Sequence, residues 1–109
     1  MTALSSLSVL TTDEGFLANH EDWSETLASS LALHENLELT AEHLEILHLA
    51  RNFYSEYGFS PSMRPLSKYI AIHADLNKGR SIYLMQLFPG SPAKLISKIA
   101  GLPKPKNCL

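Results

Sequence analysis

The chain has 109 residues, 45% hydrophobic and 18% charged, with a formal net charge of −2. This suits one domain spanning 1–109 that buries roughly two-thirds of its unfolded surface, and it is too apolar and too weakly charged for a disordered chain. The single cysteine, Cys108, is the penultimate residue; it excludes an internal disulfide framework and a cysteine-built zinc site, and fits a reducing, cytoplasmic setting.

No apolar run approaches the ~20 residues that cross a bilayer, and the first residues carry no basic n-region, so neither a span nor a cleaved signal peptide is expected. The small net charge hides a polar chain. Residues 1–60 carry ten acids and one base, Arg51, for −9, and residues 61–109 carry eight bases and one acid, Asp75, for +7. The thiol lies in the basic half.

In chain order, residues 1–5 are expected to be disordered. Leu7–Leu10 and Gly15–Leu17, joined by a turn with Asp13 and Gly15, predict a small β-hairpin or meander that needs helices to pack on. Trp23, Leu27 and Leu31 recur at helical spacing and predict a helix over about 20–35. Thr40 is the N-cap of the clearest helix, in which Leu44, Leu47, Ala50, Arg51 and Tyr54 fall three or four apart until Gly58 stops it. Further helices are predicted over 65–75, over 80–88 and from Pro92 to about Ala100, ended by Gly101. The expected fold is therefore α+β but predominantly helical. A small N-terminal β element packs on about five helices, and residues 101–109 form a mobile arm.

That arm carries the chemistry. Pro103 and Pro105 cannot continue a helix and favour an extended conformation, so the last residues read as a semi-stiff arm with a thiol near its tip. Such a thiol can enter another protein's active site and accept or donate a group. Its thiolate is the nucleophile, favoured by Lys104 and Lys106 and opposed by the terminal carboxylate of Leu109. An incidental terminal thiol is the alternative that the tail alone leaves open.

Other chemistries are less well served. His43 and His48 are five apart, which is not the spacing of a helical zinc pair, and HExxH is absent; His43 reads as a packing or hydrogen-bonding residue. Nothing implies a cofactor. A helix-turn-helix built on 65–75 and 80–88, with Lys68, Lys78 and Arg80 on phosphates, is the rival reading. The acidic half and a pI near 6.2 weigh against it. The basic half, including Arg64, Lys98, Lys104 and Lys106, is expected to steer the chain toward a protein partner.

The C-terminal run Leu87-Phe88-Pro89-Gly90-Ser91-Pro92-Ala93-Lys94, followed by Lys98-Ile99-Ala100-Gly101-Leu102-Pro103-Lys104-Pro105 and the penultimate cysteine, resembles the DsrC/TusE family. Asp13-Glu14-Gly15-Phe16-Leu17, Asp22-Trp23, Leu39-Thr40 with His43, Arg51-Asn52-Phe53-Tyr54, and Ser60-Pro61 with Arg64 follow the family order. In DsrC proteins a second cysteine stands eleven residues before the last, and here that position is Ser97. The resemblance therefore implies the single-cysteine, TusE-like branch, with Cys108 as a persulfide-carrying sulfurtransferase residue. It implies a TusBCD-type donor acting through TusD and an MnmA-type acceptor that thiolates wobble uridine in tRNA. The tRNA is then met only indirectly, no membrane is involved, and the free chain is monomeric. A DsrC-like subunit or regulator of dissimilatory sulfur metabolism is the alternative within the family.

Overall fold

The computed structural model describes residues 10–106. Local chemistry sets most of its element boundaries. Ser24, in extended conformation, accepts the Leu27 N–H and starts α1, Glu25–His34. Thr40 starts α2, Ala41–Tyr57, with a reciprocal cap: its hydroxyl accepts the His43 N–H while His43 Nδ1 accepts the Thr40 N–H at 3.1 Å. Gly58, at φ 79°, ends that helix in the left-handed conformation. Next come α3, Met63–His73, the short α4, Ser81–Leu87, and α5, Pro92–Ile99, which has proline in its first turn.

The five helices that the periodicity predicts are present among the described residues, but two expectations need correction. The helix expected from residue 20 begins at Glu25. His20–Asp22 instead form a 3-10 turn capped by the Asn19 side chain, and the extended Trp23 and Ser24 separate the two pieces. The expected β-hairpin is absent among the described residues, which form no strand and pair only at a single antiparallel bridge, Thr11 to Leu17. Residues 7–9 of its first strand lie outside the described residues, as do residues 1–5. A turn held by the Gly15 N–H on the Thr12 carbonyl, at 2.9 Å, leaves only three residues before the Asn19 cap. Burial of Phe16 and Leu17 among the helices, rather than a β-ladder, fixes this segment.

The core is built around α5, which packs on α1, α2 and α3. Ala28 and Ala32, one turn apart and fully buried, give α1 a flat face. Ile46, Leu47 and Ala50 of α2, Leu66 and Ile70 of α3, Leu84 of α4, and Ile96 and Ile99 of α5 fill the interior with Phe88. His43 joins the two ends of this assembly. Its Nδ1 serves the cap, its Nε2 donates to the Leu87 carbonyl at 2.8 Å, and its ring meets Phe88 edge-on. These bonds select the neutral tautomer protonated at Nε2, because a carbonyl can only accept. The packing and hydrogen-bonding role read from the sequence is the one found.

Ser97 breaks the apolar rule. It is fully buried on α5, and its hydroxyl has no hydrogen-bond partner among the described residues. An unsatisfied buried hydroxyl costs free energy that an apolar group of similar size avoids. Ser97→Ala is expected to raise stability by about 1 kcal/mol, seen as a higher urea midpoint at unchanged slope. A lower midpoint would mean that the hydroxyl is bonded after all.

Candidate functional site at the root of the C-terminal segment

The residues leading to the thiol begin at the end of α5. Gly101, at φ 73°, turns the chain there, with the Leu102 N–H on the Ser97 carbonyl at 2.9 Å and the Gly101 N–H on the Lys98 carbonyl at 3.3 Å. This is the paired-bond glycine cap of a helix C-terminus. The last helical carbonyls are taken by side chains from elsewhere. Trp23 Nε1 donates to Ile99 at 2.8 Å, and Arg51 Nη1 donates to Ala100 at 2.9 Å. Arg51 also lies over the Trp23 ring, 4.5 Å from its centroid. The indole and the guanidinium therefore brace one another while each holds a carbonyl.

Beyond the turn the segment stays on the body. Leu102 is buried, the Ser60 hydroxyl donates to the Pro103 carbonyl, Pro105 is buried, and Lys104 Nζ reaches Glu14 Oε2 at 2.8 Å. The expectation of a free arm starting at residue 101 is corrected accordingly. Residues 101–105 fill a prepared seat, because Leu102 and Pro105 supply apolar surface and Ser60 satisfies a carbonyl. Residues 107–109 lie outside the described residues.

Against this seat runs a groove of about 500 Å³, bounded by Tyr54, Phe59, Ser60 and Ser62 on one side and residues 103–106 on the other. Lys104 and Lys106 both line it. Lys106 is exposed and, like the exposed Arg64 in the first turn of α3, makes no ion pair among the described residues. Lys98 is placed differently: its ammonium lies 3.5 Å from Glu35 and over the Phe16 ring, and it does not line the groove. Chain connectivity keeps the Cα of Cys108, two residues on, within about 7 Å of the Lys106 Cα. Of the cations expected near the thiol, Lys104 and Lys106 line the groove, and Lys98 is engaged elsewhere. Lys78, a phosphate candidate in the helix-turn-helix reading, is paired with Glu45 at 2.7 Å.

Among the described residues no group of three or more His, Asp or Glu side chains gathers to hold a metal, and no helix is long and apolar enough to cross a membrane. The residue pattern placed Trp23 at the helical spacing of a helix over about 20–35 and Gly101 at a helix end. It did not anticipate that Trp23, Arg51, Ser60 and Glu14 together hold the C-terminal segment. The side chains were visible, but their partners lie 43 to 90 positions away, beyond any periodicity.

Comparison with known proteins agrees with this geometry. Residues 4–109 match the family described as DsrC like protein. The chain belongs to this family. The sulfurtransferase TusE homolog of Haemophilus influenzae is 42% identical over all 109 residues and all of its own length. Sulfurtransferase TusE of Salmonella typhimurium is 46% identical over 101 residues, 93% of each chain. Among solved structures, Allochromatium vinosum DsrC superposes with a TM-score of 0.82 at 42% identity, covering 91% of this chain and 88% of that one. The family resemblance read from the C-terminal run is thus confirmed, and with it the helical DsrC-like architecture.

Two outcomes test the seat. A Cβ on Gly101 would sit 2.6 Å from Trp23 Cδ1 and 2.8 Å from Leu17 Cδ1, in a backbone conformation that L-residues avoid. Gly101→Ala should therefore cost about 3 kcal/mol in urea unfolding and shift the Trp23 indole resonance; a neutral substitution would contradict the close packing. The second concerns Glu14. The hydrogen bond from Lys104, aided by its charge and those of Lys94 and Lys98, holds the Glu14 carboxyl below its ordinary value. A depressed carboxyl stabilises the contact above its unfolded pKa, and that stabilisation is lost as pH falls through the folded one. Lys104→Ala should move the Glu14 titration, followed by carboxyl-carbon NMR, upward toward the ordinary value.

Proposed function

We propose that the protein is a sulfur carrier, a sulfurtransferase whose cargo is a single sulfur atom on Cys108. The observation that carries this reading is the solitude of the thiol. With one cysteine in the chain, and Ser97 sealed in the core where the two-cysteine relatives are expected to have their second, no internal disulfide can form. What remains is exchange between proteins. The names of the curated relatives, sulfurtransferase TusE and its homolog, support the same reading.

The step balances without a cofactor. The Cys108 thiolate attacks the outer sulfur of a donor persulfide and a new S–S bond forms to that atom. The donor's own S–S bond breaks, the donor leaves as a thiolate with the bonding electron pair, and Cys108 ends as a persulfide. A thiolate on the acceptor repeats the exchange, so no net oxidation occurs across the relay. Lys104 and Lys106, four and two residues before Cys108 in the chain, favour the anionic form of sulfur by their charge.

On the family resemblance, the donor is of the TusBCD type, presenting its persulfide through TusD. The acceptor is of the MnmA type, which places the sulfur on wobble uridine of tRNA in the cytoplasm. Lys106 and Arg64, exposed cations without ion-pair partners among the described residues, are available to meet an acidic docking surface.

Incubation with a persulfide donor followed by intact-mass spectrometry tests the reading. The wild-type chain should gain about 32 Da, one sulfur atom, mapped to Cys108 and removed by reductant. Cys108→Ser should gain nothing. Labelled sulfur accepted by Cys108→Ser would overturn the assignment.

A further inference from the structure

Among the described residues, Arg51 is a cation without a counter-ion. It is half-buried in the middle of α2, its one protein hydrogen-bond acceptor is the Ala100 carbonyl, and no carboxylate lies within ion-pair distance among the described residues. Burial pushes its pKa down, and no neighbouring charge offsets that effect. A guanidinium carries five N–H donors in one plane. One is satisfied by Ala100, and the other four have no protein acceptor among the described residues. Trp23 covers one face, and the N–H donors point outward in the plane of the fork, where an acceptor meets them.

Arg51 lines a depression of about 510 Å³ together with His20, Asn52, Tyr54, Ser55 and Leu102. Tyr54 and Gly58 border both this depression and the groove beside residues 103–106, so the two hollows flank the C-terminal segment without coinciding. The depression is far larger than a bare ion needs, and the His20 and Tyr54 rings, 4.9 Å apart, give it an aromatic wall.

We propose that this depression binds a small organic acid, its carboxylate on the free edge of Arg51 with the Asn52 amide and Ser55 hydroxyl as further donors, and its apolar body against His20 and Tyr54. A planar carboxylate matches an in-plane guanidinium fork with two parallel hydrogen bonds. A phosphate dianion is the poorer fit, because one cation serves the site and Glu21 and Asp22 adjoin His20 in the sequence. The site is independent of sulfur transfer and stands or falls by binding alone.

Benzoate is a suitable probe, with benzamide as its uncharged isostere and inorganic phosphate as the alternative oxyanion. In NMR titrations of the full-length ¹⁵N-labelled protein, benzoate should cause saturable shifts at Arg51 Nε–H, the Trp23 indole, and the Asn52 and Ser55 amides. Benzamide and phosphate should bind at least tenfold more weakly. Asn52→Asp sets a fixed negative charge in the depression and leaves both Arg51 contacts in place. It should weaken benzoate at least tenfold while the unliganded Trp23 indole resonance stays where it was. The proposal is overturned if benzamide binds as well as benzoate, if phosphate binds more tightly, if the shifts cluster elsewhere, or if Asn52→Asp binds benzoate unchanged.

Discussion

The carbonyls at the end of α5 cannot be bonded within the helix, and the rest of the site depends on how they are satisfied. A helix leaves its last carbonyls without internal partners. Here Gly101 folds the backbone back on two of them, while Trp23 and Arg51 reach across to two more. The termination of one short helix thereby becomes the junction of α2, the segment before α1 and the C-terminal segment. The polar bonds at that junction are partly buried, and the stacking of guanidinium on indole makes removal of either partner costly to the other.

Much of this was legible in the sequence, and what was legible was local. Thr40, Gly58, Pro92 and Gly101 each mark a boundary by their own backbone chemistry, and each boundary stands where it was read. The helix expected from residue 20 failed because Trp23, Leu27 and Leu31 keep helical spacing through a cap: Ser24 ends one turn and starts another helix without disturbing the apolar pattern. Among the described residues the hairpin is reduced to the single Thr11–Leu17 bridge, and the adjacent Phe16 and Leu17 are both buried, where a half-exposed strand would bury only one of them.

The seat of the C-terminal segment was illegible for a different reason. Pro103 and Pro105 correctly indicate an extended chain, but extension says nothing of attachment. Ser60, set in a turn between α2 and α3, looks like a restart signal, and only its distance to Pro103 in the folded chain reveals the second task. The same holds for Glu14, read as part of a turn and found paired with Lys104. In the candidate site, residue types and positions in the chain indicated the chemistry. Which cations share the groove with the thiol-bearing segment, and which, like Lys98, are turned to other work, depended on the fold.

The contacts that hold residues 99–104 span 43, 49, 76 and 90 positions of sequence. Such long-range contacts form late, because each requires a large loop to close first. Residues 99–104 follow α1, α2 and the turn before α3 in the chain, and their seat is complete only once those elements have docked. A misassembled copy would leave this segment unseated, so its seating doubles as a readout of complete folding.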